Sequence, residues 1–325
     1  MEIAKDFTFT GLPAIDAPAP PPTDVHGKQL ISPLINILHL NNLGPLSGLV
    51  GSWSGTGFNQ IWRPFQPGKG SDRFLELNLT DETLTVENIP GAIPNRGLLQ
   101  PDMNMFGVTY LQQIKDHNLG AGLHVEPGIW AHVPATTNPS EPQSVVRMAS
   151  IPHGTVINAQ GIATQLTGAP VFPVINVDPF TINQPQSHSP FPEQNLSAPT
   201  QFRSSGKQMD GITQAMVTNP NSVLAAGIAG KTIKSAIQLD ISTAPKSLGG
   251  TTLPGGGTAN TAFLAGGPGG PNANAVTVTA TFWIETIANQ GLPDSMQLQY
   301  SQTVLLNFNG ISWPHVTVGT LKKVG

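Results

Sequence analysis

Glycine and proline recur along the whole chain and constrain its fold more than any other feature. They occupy 35 and 31 of the 325 positions. Together they make up about one residue in five, which is well above average usage. Both residues interrupt helices, so a helical bundle is excluded, and the lack of a Gly-X-Y period excludes collagen. The chain is nevertheless long enough to bury a sizeable hydrophobic core.

Alternation of hydrophobic and polar residues predicts many short strands between these interruptions. In the clearest run, 276–284, four aliphatic residues and Phe282 alternate with three threonines and Trp283. Similar runs occur at 53–62, 75–79, 83–89, 107–115, 123–133, 145–151, 155–159, 171–183, 233–241, 297–308 and 313–321. Many antiparallel strands with one apolar face each predict an all-β fold. We expect an antiparallel closed β-barrel of about ten strands with long Gly/Pro-rich loops and little helix, and a β-sandwich is the alternative.

The strand pattern predicts one barrel domain that carries an arm and an insertion. Residues 1–45 give an N-terminal arm and a short helix around 31–40. Residues 46–325 give the barrel. Within it, residues 162–274 are interpreted as an insertion or lid, because they include a Gly/Pro-rich loop at 249–270.

Composition excludes several classes of function. The net charge is −4, and no Lys/Arg cluster exceeds Lys322–Lys323, so we expect no nucleic-acid partner. Cysteine is absent, which excludes disulfides, thiolate metal sites and cysteine nucleophiles. We identify neither a signal peptide nor a run near the ~20 apolar residues of a membrane helix. We therefore expect a cytoplasmic protein with a small-molecule partner and no membrane partner, and leave homo-oligomerisation open.

Histidines are the main candidates for chemistry, and four of the eight lie on or beside predicted strands. His124, Glu126 and His132 share one face of a strand. The favoured interpretation makes His124 and Glu126 a polar pair on the outer face, because Leu123 and Val125 look like the core side. His153 occupies a tight turn, from which it could overhang a cavity. His315 follows Pro314, and a single strand histidine is usually structural, although histidine is also a common metal ligand.

A glycine-rich strand opens the predicted barrel. Glycines at 51, 55 and 57 flank Trp53. Because this motif opens a strand rather than a helix, a nucleotide-binding loop is disfavoured. Small residues would instead let the strand bend sharply at a barrel corner while Trp53 plugs one end.

Four segments resemble the nitrobindin-type haem proteins. Residues 46–57 (LSGLVGSWSGTG) are similar to that family's first strand, Leu-x-Gly-x-Trp-x-Gly-x-Gly. Residues 122–130 (GLHVEPGIW) are similar to its Leu-His-x-Glu-x-Gly strand. Residues 145–161 resemble its next hairpin, with Pro-His-Gly at 152–154 where the family has Pro-Thr-Gly. Residues 314–323 (PHVTVGTLKK) resemble its terminal strand.

The resemblance covers about 46–161 and 275–323, and 162–274 has no counterpart. It implies a closed barrel that holds haem b through one neutral imidazole. By the same resemblance, His315 is the proximal iron ligand, with Trp53, Gly55 and Gly57 at the cofactor site. The other ring nitrogen of His315 should then donate to a carbonyl or carboxylate.

The implied function is handling of nitric oxide, peroxynitrite or peroxide, with peroxidase or peroxynitrite isomerase activity left open. Peroxide cleavage needs a proton shuttle on the open side of the iron. The candidates are His132, His153 and His124, and the sequence does not choose among them. One alternative is a haem-free, lipocalin-like carrier of an apolar small molecule, with 162–274 as its lid. Another is a β-sandwich that displays its loops for protein contacts.

Overall fold

A closed antiparallel barrel of ten strands forms the protein, which confirms the predicted all-β fold. The computed structural model describes residues 40–65, 72–248, 251–253, 255–261, 264 and 273–324. In chain order the barrel strands are β1 Gly51–Pro64, β2 Arg73–Asn88, β3 Met103–Asp116, β4 Gly122–Val133, β5 Ser144–Ile151, β6 Thr155–Thr167, β7 Thr232–Ser242, β8 Asn274–Ala288, β9 Ser295–Phe308 and β10 Ile311–Lys323. Each strand pairs with the next, and β10 returns to pair with β1, which closes the sheet.

Short elements occupy the connections. The short strands are Ile93–Asn95, Thr136–Thr137, Ser140–Glu141, Phe180–Thr181, Lys246–Leu248, Thr251–Leu253 and Gly257–Asn260. The 3-10 helices are Gly44–Leu49, Pro192–Gln194 and Gly206–Met209, and the α-helices are α1 Gln214–Thr218 and α2 Ser222–Ile228. Residues 40–42 are helical. The rest of the predicted arm and helix, residues 1–39, and much of the 249–270 loop lie outside the described residues.

One half of the barrel interior is a packed core, which we call the inner core. It includes Trp53, Trp130, Phe282 and Leu298. The 3-10 helix Gly44–Leu49 closes this end, where the indole nitrogen of Trp53 donates a hydrogen bond to the carbonyl of Leu49 at 2.8 Å. Trp53 therefore lies at the closed end of the barrel.

A second hydrophobic cluster, the outer core, lies on the outside of the barrel. Phe58, Leu77, Trp283 and Val318 project from the strands. Residues 168–231, which connect β6 to β7, cover them and contribute Val177, Val217 and Leu224. Burial of both faces explains why Trp283, on the polar side of the predicted alternation, is only 2% exposed.

The segment inserted between barrel strands is shorter than the predicted range 162–274. The end of β6 and all of β7 lie within those limits, and the two strands pair with each other from Ser235↔Thr167 to Ser242↔Gln160. These residues are therefore part of the barrel wall. The segment 168–231 lies against the outer face of that wall.

Within the described residues, no helix is long and apolar enough to cross a membrane.

Candidate functional site

The half of the barrel opposite the inner core contains a cavity of about 360 Å³. This volume falls within the range of roughly 300–1,000 Å³ that is typical of small-molecule sites. Apolar side chains from several strands line much of it, including Ile114, Leu123, Ile151, Val304 and Leu306. The barrel is therefore a cup that is filled at one end and hollow at the other.

His315 lines this cavity from β10, where its ladder partner on β9 is Val304. Burial, together with the nearby His124 and His153, lowers its pKa to about 3. The imidazole is therefore neutral at neutral pH. Its ring nitrogens make no hydrogen bond to the part of the chain that the structure describes, so the carbonyl or carboxylate partner expected from the resemblance is not found there. A neutral, unclaimed imidazole nitrogen is a good metal ligand.

His124 and His153 line the same cavity. Their rings stack with centroids 5.3 Å apart and planes inclined by 30°. Burial, and then the proximity of His124, lowers the pKa of His153. The structure thus brings three of the four predicted histidines together around one hollow.

The interpretation of His124 and Glu126 as an outer pair is wrong. Glu126 is fully buried, whereas Val125 is 37% exposed. The inner face of β4 is polar at this point because a buried cation on β5 compensates the carboxylate. Arg147 is 1% exposed and forms an ion pair with Glu126.

Glu126 is the centre of a charged network inside the barrel. It accepts hydrogen bonds from Arg147 and from the Tyr110 hydroxyl, and it lies 3.3 Å from Nε2 of His124. Burial opposes ionisation, but the Arg147 charge and these hydrogen bonds lower the pKa of Glu126 to about 2. Glu126 is therefore an anion that holds His124 in place. Arg147 also donates to Gln302, a cavity-lining residue, at 2.7 Å.

A second polar group forms the floor of the cavity, next to the inner core. The buried carboxylate of Glu82 accepts hydrogen bonds from the Tyr300 hydroxyl at 2.6 Å and from Thr80 at 2.8 Å. Gln112 donates to both Glu82 and Tyr300, at 3.3 and 3.1 Å. Burial raises the pKa of Glu82 despite these bonds. Tyr300 and Gln112 thus present polar atoms to the base of an otherwise apolar cavity.

Strand glycines make room for these two networks. A Cβ atom at Gly57 would lie 2.2 Å from the Val318 carbonyl oxygen and 2.5 Å from Oε1 of Glu82. At Gly128 it would lie 2.5 Å from the Tyr110 ring, and at Gly319 2.5 Å from the Tyr300 ring. Any larger residue at these positions would displace a buried polar side chain.

The remaining predicted site residues lie elsewhere. Trp53 belongs to the inner core, and Gly55 allows β1 to lie close to β10, since a Cβ there would be 2.0 Å from the Thr320 carbonyl oxygen. His132 lies at the closed end of the barrel, beside Gly44, with Nδ1 3.3 Å from the Asn42 carbonyl oxygen. Neither these residues nor Gly57 line the cavity.

Sequence reasoning missed the polar residues that surround the histidines, namely Glu82, Tyr110, Gln112, Arg147, Tyr300 and Gln302. One signal could have found two of them. The chain contains two tyrosines, and each lies directly across a ladder from a strand glycine, Tyr110 from Gly128 and Tyr300 from Gly319. An aromatic residue opposite a glycine indicates a side chain that lies over the neighbouring strand.

The donors at the cavity can be compared with those that metal centres need. Among the described residues, no group of three or more histidine, aspartate or glutamate side chains could hold a bare metal ion. Of the three histidines that line the cavity, His315 has no hydrogen-bond partner among the described residues, so its imidazole could serve as the one axial ligand that a haem iron takes from protein.

Comparisons with known proteins find similarity to solved structures. No protein family model and no curated protein matches the chain. The crystal structure of Rv2717c from M. tuberculosis is similar, with a TM-score of 0.39 and 13% sequence identity over 88% of this chain and 98% of that chain. A similarity at this level does not bear on function.

Proposed function

We propose that the chain binds one haem b in the barrel cavity, with His315 as the axial ligand, as nitrobindin-type haem proteins do. The observation that carries this proposal is the state of His315. It faces a hollow, its pKa is about 3, and neither ring nitrogen is engaged by the described residues. A neutral imidazole whose free lone pair reaches a cavity is well suited to bind a metal.

The walls of the cavity support an apolar, planar ligand. Leu123, Ile151 and Leu306 would contact its faces and exclude water from the coordinating nitrogen. The bound haem would supply an iron with one open position for nitric oxide, peroxynitrite or peroxide.

His124 is the best placed of the three candidates for proton transfer. It lines the cavity, and its Nε2 lies beside the ionised Glu126, which leaves Nδ1 to exchange a proton with a ligand. A carboxylate that fixes one ring nitrogen is the usual way to orient a catalytic imidazole. His153 lines the cavity without a carboxylate partner among the described residues, and His132 lies outside the cavity.

The test replaces His315 by alanine. Wild type expressed with added haem should show a Soret band, and His315→Ala should lose it. His132→Ala is the matched control, because it removes an imidazole at the closed end, and it should retain the band. Free imidazole should restore haem binding to His315→Gly, which separates loss of the ligand from loss of the fold. An unchanged Soret band in His315→Ala would refute the assignment, as would a wild type that takes up no haem.

A haem-free carrier of an apolar small molecule is the second candidate. The floor of the cavity favours it, because Tyr300 and Gln112 could orient one polar group at the end of an apolar ligand. Of the predicted lid, Leu264 and Ala273 line the cavity, whereas no residue of 168–231 does. This function predicts colourless protein after expression with haem and saturable binding of an apolar fluorescent probe.

A further inference from the structure

The barrel wall is interrupted beside the cavity. The ladder between β4 and β5 runs from Val133↔Ser144 to Gly128↔Ala149 and ends there. Residues 122–127 of β4 and residues 150–151 of β5 therefore have no ladder partner on each other's strand. We call this interval the side opening.

Two imidazoles bridge the side opening. His124 projects from β4 and His153 from the turn, and their rings stack at 5.3 Å. The His153 ring therefore joins the turn to β4 through this stack.

The same side chains separate the cavity from the outside. Ile114, Leu123, His124 and His153 line the inner cavity and also a groove of about 960 Å³ on the outer surface. The groove extends over β1 to β4 and includes the exposed Lys115. Displacement of the histidine rings would therefore connect the two spaces.

We propose that the stacked His124 and His153 are a gate over the side opening, that small ligands enter the cavity through it, and that it opens when the His153 ring turns away from His124. The gate requires a hollow barrel and not a haem, so it does not rest on the proposed function.

The contacts around the pair favour movement of His153. Nε2 of His124 lies 3.3 Å from the carboxylate of Glu126 on its own strand, whereas His153 has no carboxylate partner among the described residues. His124 is therefore the held ring of the pair.

The moving part is the His153 side chain rather than the turn. The turn backbone is fixed by a hydrogen bond from the Gly154 N–H to the Ile151 carbonyl at 2.9 Å, and by one from the Thr261 N–H to the Gly154 carbonyl at 2.7 Å. Outside, Asp81 and Lys115 line the groove and pair with each other at 3.6 Å. Rotation of one side chain about its own bonds is then sufficient to open the gate.

A single thiol inside the barrel can measure passage through the gate. The chain has no cysteine, so Val304→Cys places a unique thiol in the cavity with little change in volume. Its rate of modification by methyl methanethiosulfonate is measured on colourless protein purified without added haem. Adding His153→Ala should raise the rate about two- to tenfold, as expected for a barrier reduced by one ring contact of about 0.5–1.5 kcal/mol.

Leu264→Ala is the control, because Leu264 lines the cavity from a different segment. It should leave the rate unchanged. If Leu264→Ala accelerates modification and His153→Ala does not, ligands enter elsewhere and the gate is refuted.

The role of the ring stack is tested with His153→Phe, which keeps a ring to stack on His124. At one fixed pH, the thiol in His153→Phe should react about as slowly as it does with His153 present, whereas in His153→Ala it should react faster. Equal acceleration in His153→Phe and His153→Ala would overturn the role of the stacked ring. A protein that binds no haem would still give these results if the gate exists.

Discussion

Replacing Glu126 by glutamine tests the charged network inside the barrel most directly. The amide has the shape of the carboxylate but no charge. Arg147, which is 1% exposed and paired with Glu126, would then be a buried cation without a counter-ion. Its remaining hydrogen bonds, to the Tyr110 hydroxyl at 2.9 Å and to Gln302 at 2.7 Å, are to neutral groups.

The expected loss of stability can be estimated in two ways. The pKa of Glu126 is about 2 in the folded protein, against an ordinary value of 4.5. At 1.36 kcal/mol per unit, this difference corresponds to about 3 kcal/mol in favour of the folded state at neutral pH. Removing one partner of a buried ion pair typically costs about 3–5 kcal/mol. Both estimates are a large fraction of the roughly 5–15 kcal/mol that stabilises a typical domain.

The sign of the pH dependence follows from the lowered pKa. The contribution of Glu126 is fully present above its ordinary pKa of 4.5 and is lost as the pH falls through about 2. The wild type should therefore exceed Glu126→Gln in free energy of unfolding by about 3 kcal/mol at pH 7, and the difference should shrink towards pH 2.

The measurement is equilibrium unfolding in guanidinium chloride, with Glu87→Gln as the control. Glu87 lies on β2 with its side chain exposed, and its replacement should change stability by less than about 0.5 kcal/mol. In the double variant Glu126→Gln/Arg147→Met, neither charge is buried. It should be more stable than Glu126→Gln alone, because the apolar methionine would pack against Trp130 and Phe282, which the guanidinium now contacts. A loss below about 1 kcal/mol at pH 7 for Glu126→Gln would refute this account of the network.

Two further predictions concern packing and a second buried carboxylate. Gly128→Ala should destabilise the protein by roughly 1–3 kcal/mol, because the new Cβ would clash with the Tyr110 ring. Gly122→Ala is the control and should have little effect on stability, because the space around Gly122 is open. Equal losses of stability in the two variants would contradict the packing argument. Burial raises the pKa of Glu285 from 4.5 to about 7, so ionisation favours unfolding between those values. As the pH rises from about 5 to about 8, the melting temperature should therefore fall less for Glu285→Gln than for the wild type. Equal falls in the two proteins would exclude this explanation.

The sequence predicted the barrel because its strands alternate strongly and its turns are rich in glycine and proline. In β8, the residues Val278, Ala280, Phe282 and Ile284 all point into the inner core, as their period of two indicates. The alternation identifies the two faces of each strand and restricts the register in which neighbouring strands pair. Strand number and antiparallel order follow from that information together with short connections.

The same alternation could not tell which face of β4 points inwards. Leu123 and Val125 looked like the core side, yet Val125 is 37% exposed and Glu126 is buried. A polar face can point into a barrel only where another strand supplies the compensating charge. Here that charge is Arg147, which lies 21 residues away in the chain. Such pairing is a tertiary property, so local sequence does not reveal it.

The outer core explains how this barrel can leave half of its interior hollow. A barrel interior that is not packed lacks the stabilisation that buried apolar side chains provide, which is about 1.5–3 kcal/mol for each side chain. On β10, Val316 and Val318 point outwards, while His315 and Thr317 line the cavity. The segment 168–231 covers the outward residues and so moves part of the hydrophobic core to the outside of the wall. The inner face of β10 is then free to carry an imidazole instead of a core side chain.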